Sequence, residues 1–443
     1  MLPNKKKYYP ATERQKASWK EYIENGKKLY LHIGNVLDLH KPDPHSIKKT
    51  VNALVIRHES LRTTFETNEE GTAVQVVHDS ESFKIEIERE DCSAEPSPLQ
   101  KAESIMREMT NELWDLEKGP LVRLKLVHLG EGEARLIIAI QHIISDADSM
   151  KVFAREFMFG YNSFINQKPI RAEPLAFQLK DFAHWEQNYL NGGTGKKNLD
   201  YWRKEVNGSI KEFQVQYCYQ RGDSSDHASQ TGNGAEYVSY LPLPLLNDLK
   251  SLAVKLRTSK LCVFCAGLTS LLYHLSKLDE LLIAVPISLR NRKELMNLIG
   301  YMNTDIYLRM KVGEYISFEE LISVVSDKYF TALDHRHYQM DQISDRGNRY
   351  RAAILNELPA SNENLKDFGS QLITKDNGRM ALSPFYVMIT EYKNGLKIHT
   401  VYDNSLLDAK KVPVICDGFV NLLKDMTKTP YEKVSNVIDK AFS

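Results

Sequence analysis

The chain has 443 residues, enough for two domains of about 200 residues each, and 42% of them are hydrophobic, as in an ordinary soluble globular protein. Lys+Arg and Asp+Glu both number 58, so the formal net charge is zero and no global field favours nucleic acid or an anionic membrane as a partner. No apolar run reaches the roughly 18 residues of a membrane span, and the basic cluster 5–7 is followed by polar residues, unlike a secretory leader.

The cysteines argue for a reducing compartment. There are five, an odd number scattered along the chain, which speaks against a disulfide framework. Cys262 and Cys265 form a C-x-x-C pair, but apolar residues surround it and no second pair follows at zinc spacing. We therefore expect buried thiols, no metal site and a cytoplasmic location.

The first half of the chain alternates helical and strand patterns. Apolar residues three and four apart predict helices, and alternation of apolar and polar residues predicts half-exposed strands. In chain order these are a helix over 51–65, strands over 71–79 and 83–90, a helix over 102–113 and a strand over 122–126. The turn 130–132 leads into a near-continuous apolar run over 135–144, which predicts a strand covered on both faces. The last two strands predict a hairpin that carries His142 to its end.

A polar loop follows this hairpin. Asp148 or Ser149 is expected to cap the next helix, whose apolar positions begin at Val152. The loop is rich in Asp and lies at the N-terminus of that helix, where the helix dipole favours negative charge.

The second half repeats the order of elements. Pro169 and Pro174 predict a linker, 191–195 predicts a flexible loop, and the polar stretch 221–234 is a candidate for disorder. The elements that follow are strands over 236–241 and 280–286, helices over 244–256 and 261–277, two strands within 384–402 and a helix over 412–424. This order predicts an α+β fold with two domains of similar layout.

The loop after the hairpin carries the sequence Gln141-His142-Ile143-Ile144-Ser145-Asp146-Ala147. It resembles the His-His-x-x-x-Asp-Gly motif of the condensation domains of nonribosomal peptide synthetases, with the second His and the Asp kept. Gln141 replaces the first His, and Ala147 replaces the Gly. A His-x-x-x-Asp pattern alone arises easily by chance, so the resemblance depends on further motifs.

Those motifs follow in the family's order from end to end of the chain. The stretch 57–65 fits Arg-His-Glu-x-Leu-Arg-Thr-x-Phe at every specified position. The stretch 114–123 resembles the Asp-Leu-x-x-Gly-Pro-Leu element, and 286–290 resembles the Pro-x-x-x-Arg element. The stretch 298–304 is similar to the Ile-Gly-x-x-x-Asn-Thr motif, with its Asn one position early. The chain is thereby identified as a member of this family.

The resemblance implies a V-shaped pair of chloramphenicol-acetyltransferase-like domains, 1–175 with the motif and 176–443, and a tunnel at their interface. A donor carrier protein would enter at one face and an acceptor at the other. No adenylation or carrier domain is visible, so the chain resembles a free-standing condensation enzyme or an excised domain. We expect a monomer without a resident cofactor, served by the phosphopantetheine arm of an acyl or peptidyl carrier protein.

The resemblance also assigns roles to single residues. His142 matches the catalytic His, which accepts a proton from the attacking amine or stabilises the developing charge. Asp146 is expected to hold the loop through a bidentate ion pair with Arg290, or with its neighbour Arg292, rather than to act as a base. Gln141 can keep the hydrogen bonds of the His it replaces, but it cannot titrate.

Three residues that follow the motif's Asp, namely Ala147, Asp148 and Ser149, are expected next to the substrate channel. Asp148 has a second interpretation as a plain helix cap. The methyl group of Ala147 disturbs the backbone only if this position needs a positive φ.

The implied reaction is amide formation between a carrier-bound acyl or aminoacyl thioester and an amine, free or carrier-bound, in nonribosomal peptide or antibiotic biosynthesis. Ester formation on a hydroxyl acceptor is equally compatible, because the same base serves both nucleophiles. An alternative of another class is a catalytically silent domain that recruits a carrier or a partner enzyme. Epimerisation ranks third. The loops 346–351 and 362–379 are candidates for shaping the substrate pocket.

Overall fold

The computed structural model places the predicted segments in an α+β fold. It describes residues 6–27, 32–168, 175–207, 210–215, 234–312, 317–343, 351–358, 360, 371–373 and 383–442. Within these ranges, no helix combines the length and the apolar character needed to cross a membrane. The predicted linker prolines, the polar stretch up to residue 233 and most of the two candidate pocket loops lie outside the described residues.

The chain forms two compact units. The first comprises residues up to Gly192, the segment Ser288–Asn303 and the short strand Gln371–Ile373, and the second takes most of the rest. Its boundary at Gly192 lies later than the predicted one at residue 175, because the helix Leu179–Asn191 contacts the strand Lys7–Pro10 of the first unit. The return of Ser288–Asn303 to the first unit is a further difference from the predicted layout.

The first unit combines two sheets with helices, labelled here in chain order. Its strands are β1 Lys7–Pro10, β2 His32–His40, β3 Thr63–Thr67, β4 Ala73–Val77, β5 Ile87–Asp91, β6 Val122–Gly130, β7 Glu133–Gln141 and β12 Gln371–Ile373. Its helices are α1 Glu13–Glu24, α2 Pro44–Arg57, α3 Pro98–Asn111, α4 Ala147–Ile165 and α5 Leu179–Asn191. One sheet has the order β12-β2-β7-β6-β5, and the other has the order β1-β4-β3.

β7 is the central strand of the five-stranded sheet. It pairs antiparallel with β2 on one side and with β6 on the other. Its residues 136–140 are fully buried, which explains why that run is apolar on both faces. Gly130 and Gly132 have positive φ in the turn between β6 and β7, a conformation that glycine adopts without steric cost. The predicted hairpin is confirmed.

Three predicted boundaries in this part of the chain are wrong. The predicted helix 51–65 ends at Arg57, and Phe65 lies in β3, because a buried strand residue can match helical spacing by coincidence. The strand predicted to reach residue 144 ends at Gln141, where a 3₁₀ turn takes over. The loop predicted over 191–195 is a break at the single residue Gly192.

The second unit is also a sheet covered by helices. Its strands are β8 Gly234–Pro242, β9 Glu280–Ser288, β10 Asn303–Lys311, β11 Arg351–Glu357, β13 Phe385–Tyr392 and β14 Gly395–Asp403. Its helices are α6 Gly193–Val206, α7 Leu243–Lys255, α8 Lys260–Ser276, α9 Phe318–Asp334, α10 Val412–Lys428 and α11 Val434–Ala441. The six strands have the order β10-β9-β11-β13-β14-β8. The C-x-x-C cysteines are buried in α8, as the apolar surroundings predict.

Candidate active site

The motif loop begins where β7 ends. Gln141 is the last strand residue, and its backbone N–H still donates to the carbonyl of Leu121 at 3.0 Å. The next three residues form a 3₁₀ turn, so His142 is the first residue outside the sheet. The chain then enters α4, whose N-cap is Asp146. Sheet and helix thus fix both ends of a loop of five residues, and the imidazole lies between them.

The imidazole of His142 is oriented by its own loop. Its Nδ1 lies 2.7 Å from the backbone carbonyl oxygen of Ser145, an acceptor only, so Nδ1 carries the proton and donates it. In the neutral ring this leaves the lone pair on Nε2, the tautomer that a base at Nε2 requires. The side chain of His142 is partly exposed.

The surroundings of His142 favour the neutral ring. Burial lowers the pKa of His142 below its ordinary value, and the charge of Arg14 acts in the same direction. Hydrogen bonds within the loop and the charge of Asp146 act in the opposite direction and are outweighed. Because the resulting pKa lies below 6.5, the imidazole is mostly unprotonated at pH 7 and able to accept a proton.

Asp146 uses both carboxylate oxygens in fixed hydrogen bonds. Its Oδ1 accepts from the backbone N–H of Ser149 at 2.9 Å and from the Ser149 hydroxyl at 2.7 Å. Its Oδ2 accepts from Arg290 Nη1 at 2.6 Å and from the backbone N–H of Met302 at 3.0 Å. Burial acts to raise the pKa of Asp146, but Arg290 and these hydrogen bonds outweigh it and hold the pKa below its ordinary value. Asp146 is therefore a structural brace, and it also replaces Asp148 and Ser149 as the helix cap.

Arg290 is the cation of this brace. Besides Asp146, its Nη2 donates to the carbonyl oxygens of Leu298 at 3.1 Å and Gly300 at 3.0 Å. The predicted ion pair is present, although only Nη1 reaches the carboxylate and the contact is not bidentate. Arg292, the predicted alternative, is exposed. Arg290 thus joins the motif loop to the segment Ser288–Asn303 within one unit.

The three residues expected next to the substrate channel have different surroundings. Ser149 is fully buried, and its hydroxyl contacts Asp146, Arg290 and Gly300, so it belongs to the brace. Asp148 is 38% exposed, and its carboxylate lies 3.9 Å from Arg290. Ala147 is partly exposed. A channel-lining role therefore stays a prediction for Asp148 and Ala147.

A family model described as Condensation domain matches residues 5–439 of the chain. The chain belongs to the condensation-domain family. A linear gramicidin synthase of Brevibacillus parabrevis contains a polypeptide that is 26% identical to it over 403 residues, which are 88% of this chain and 8% of that protein. The chain thus corresponds to a small part of this curated relative.

Solved structures share the fold. The condensation domain from the monacolin K polyketide synthase MokA has a TM-score of 0.83 at 15% identity, covering 97% of this chain and 99% of that one. The X-domain from teicoplanin biosynthesis, solved in complex with OxyB, has a TM-score of 0.80 at 18% identity, covering 97% and 95%. The predicted α+β, chloramphenicol-acetyltransferase-like fold is confirmed.

The family membership carries a general activity. Condensation domains are in general acyltransferases of natural-product biosynthesis, and those of nonribosomal peptide synthetases work with carrier-protein phosphopantetheine arms. Two motif positions of this condensation domain depart from the family. Ala147 is the first residue of α4, a helical position that alanine adopts freely, so the loss of the Gly costs nothing locally.

Gln141 is the more consequential departure. Its side chain is fully buried, and its Oε1 accepts a long hydrogen bond of 3.4 Å from the backbone N–H of Ile143. Its Nε2 has no hydrogen-bond partner among the described residues. The residue fills the space of the first His and caps the 3₁₀ turn, but it leaves a buried donor unsatisfied.

Two further residues at this site escaped the sequence analysis. The ring of Tyr301 lies against the imidazole of His142, with ring centroids 4.0 Å apart. The guanidinium carbon of Arg14 lies 5.5 Å from the centre of the Tyr301 ring. Tyr301 falls inside the matched stretch 298–304, so its motif indicated the segment but not its contact with His142. No pattern in the sequence pointed to Arg14.

Among the described residues, no group of three or more His, Cys, Asp and Glu side chains could hold a metal ion.

Proposed function

We propose that this chain catalyses amide formation between an acyl or aminoacyl thioester on a carrier protein and an amine acceptor. The observation that carries the proposal is the state of His142. Its Nδ1 proton is committed to Ser145, and burial favours the neutral form of the ring. Nε2 is therefore available as a base at neutral pH.

In the proposed reaction the amine attacks the thioester carbon, and the C–N bond forms as the carbonyl oxygen becomes an oxyanion. His142 Nε2 accepts the proton that the amine loses. Collapse of the tetrahedral intermediate breaks the C–S bond, and the thiolate of the phosphopantetheine arm takes up a proton as it leaves. Tethering the donor to a carrier raises its effective concentration, which supplies part of the rate.

Asp146 and Arg290 support this reaction without touching the substrate. Both are almost completely buried, and their hydrogen bonds hold the start of α4 against the segment around Gly300. A fixed loop keeps the imidazole in one orientation, because its partner Ser145 is the residue directly before Asp146. The brace thus acts on the geometry of His142 rather than on its proton.

Intact-mass spectrometry tests the proposal. Carrier proteins loaded with a panel of acyl and aminoacyl groups are mixed with amines and alcohols, and the loss of the acyl group and the new product are both measured. We expect transfer with the wild type and with His45→Ala, an exposed histidine on α2, and at least a hundredfold less with His142→Ala. Transfer by His142→Ala at the wild-type rate would overturn the proposal. Product on alcohols alone would replace amide by ester formation.

A second candidate function is recruitment without catalysis. Gln141 favours it, because this position has lost the imidazole of the family motif and holds an unsatisfied donor instead. In that case no carrier in the panel is unloaded, and binding of a carrier or of a partner enzyme is unchanged by His142→Ala. Surface plasmon resonance on wild type and variant distinguishes the two functions.

A further inference from the structure

The position of Tyr301 is fixed by its two neighbours in the chain. The backbone N–H of Gly300 donates to the Ser149 hydroxyl at 3.0 Å, and that of Met302 donates to Asp146 Oδ2 at 3.0 Å. Both acceptors belong to the brace at the start of α4. Tyr301 lies between these two hydrogen bonds and is itself buried, with 8% of its surface exposed. Its backbone therefore has little freedom to move away from the motif loop.

The phenol ring and the imidazole are in direct contact. Their centroids are 4.0 Å apart and their planes meet at 38°, which is closer than most aromatic pairs in proteins. Such a contact restricts rotation of the His142 side chain and removes water from one face of the ring. Removing water disfavours the imidazolium.

Arg14 adds a positive charge behind the phenol ring. Its guanidinium lies 5.5 Å from the ring centre, within cation–π range. Its Nε donates to the backbone carbonyl of Asn303 at 3.0 Å, which ties α1 to the same segment that carries Tyr301. The sequence of groups is therefore imidazole, phenol ring and guanidinium, contributed by three separate parts of the first unit.

We propose that Tyr301 and Arg14 are positioning residues that hold the His142 imidazole in its basic, neutral state. The inference rests on the proposed function and deepens it, because it names what keeps Nε2 available. Two charged groups act on the ring: Asp146 from the motif loop, already paired with Arg290, and Arg14 from α1. Burial and Arg14 lower the pKa of His142, while Asp146 raises it. Loss of Arg14 or of the phenol ring therefore raises that pKa.

Histidine-selective ¹³C labelling of the full chain measures this pKa directly, and His142→Ala assigns the signal among the 13 histidines. We expect Arg14→Gln and Tyr301→Leu to raise the pKa of His142 by about half a unit or more. Tyr301→Phe keeps the ring and should leave the pKa within about 0.2 unit of wild type. Arg155→Gln removes the same charge from an exposed position on α4 and serves as the matched control.

Activity gives the second readout. In Arg14→Gln, the acid limb of the pH–rate profile should move to higher pH by the same amount as the pKa, with KM unchanged. In Tyr301→Leu, kcat should fall about tenfold or more even at high pH, because the ring is no longer held, and Tyr301→Phe should restore it. A variant that fails to fold is recognised by circular dichroism and replaced by Tyr301→Met.

The two proposals fail in different ways. If neither Arg14→Gln nor Tyr301→Leu shifts the pKa beyond Arg155→Gln, the inference is overturned even when His142→Ala is inactive. If the shifts are present but His142→Ala still forms product at the wild-type rate, the proposed function is overturned, and the control of the His142 pKa by Tyr301 and Arg14 is supported.

Discussion

Asp146 accepts four hydrogen bonds inside the protein, and its partner Arg290 is equally buried. Replacing Asp146 by Asn leaves the guanidinium without a counter-charge and directs an NH₂ group at a donor. We expect Asp146→Asn to lower the free energy of unfolding by about 3–5 kcal/mol, measured by urea denaturation at pH 7. Asp148→Asn changes a half-exposed neighbour and should stay within about 0.5 kcal/mol of wild type. A loss below about 1 kcal/mol in Asp146→Asn would contradict this account.

The same carboxylate makes stability depend on pH in the acid range. Because the pKa of folded Asp146 lies below its ordinary 3.8, its contribution is complete above that value and is lost as the pH falls through the folded pKa. The stability gap between wild type and Asp146→Asn should therefore be constant from pH 7 to about 5 and narrow only below about pH 4. Urea denaturation at a series of pH values measures the gap. A gap that closed between pH 7 and pH 5 would mean that another group is titrating.

Gln141 has a buried Nε2 without a partner among the described residues, and this predicts an unusual tolerance. Gln141→Met keeps the length of the side chain and removes the unsatisfied donor together with one weak acceptor. We expect the free energy of unfolding to change by less than about 1 kcal/mol, whereas Gln141→Glu buries a charge and should cost several times more. Chemical denaturation of both variants checks this. A loss above about 2 kcal/mol in Gln141→Met would indicate that Nε2 binds a partner in solution.

At the scale of elements, packing of α5 against the segment around Gly300 offers a test of the brace. A Cβ added at Gly300 would lie 2.6 Å from Leu179 Cδ1, and Leu179 is buried among Phe182, Leu298 and Met302. Gly300→Ala should therefore cost about 1–3 kcal/mol, because the leucine has little room to move.

Leu179→Ala provides the matched partner for a double-mutant cycle with Gly300→Ala. Alone it should cost about 2–5 kcal/mol, since it leaves a cavity. In the double variant the methyl group introduced at position 300 enters that cavity, so the total loss should be smaller than the sum of the two. Additive losses would show that Gly300→Ala acts through its own hydrogen bonds and not through Leu179.

The hairpin was predictable and the brace only in part. A buried central strand is apolar along its whole length, so β7 and the delivery of His142 to its end follow from local sequence. The Asp146–Arg290 pair followed only from the family resemblance. The bonds to Met302 and Gly300 join residues up to 156 positions apart, and no local pattern contains them. Tyr301 and Arg14 were missed for the same reason.

At the scale of the whole molecule, the two units have separate hydrophobic cores. The clusters around Leu37 and Leu179 contain only residues of the first unit, and the cluster around Phe264 contains only residues of the second. The predicted division into two α+β halves of similar layout had its basis in this repeated order of helices and strands. Separate cores allow separate unfolding transitions, because each unit buries its own apolar surface.

Buried thiols can follow these transitions one unit at a time. Cys92 lies in the first unit, and Cys262, Cys265 and Cys416 lie in the second. Burial raises the pKa of Cys416 to about 12 and also raises the pKa values of Cys92 and Cys265, so the folded units should react slowly with a thiol reagent. Labelling in urea then reports the loss of each core.

We expect Asp146→Asn, in a Cys218→Ser background, to shift the labelling midpoint of Cys92 to lower urea by about 1 M or more. The midpoints of the second unit's cysteines should stay within error, because the broken ion pair lies entirely in the first unit. Peptide mass spectrometry after pulse labelling resolves the sites, and Asp148→Asn in the same background is the control. If all four cysteines shifted together, the chain would unfold as one cooperative body, and the brace would stabilise both cores through it.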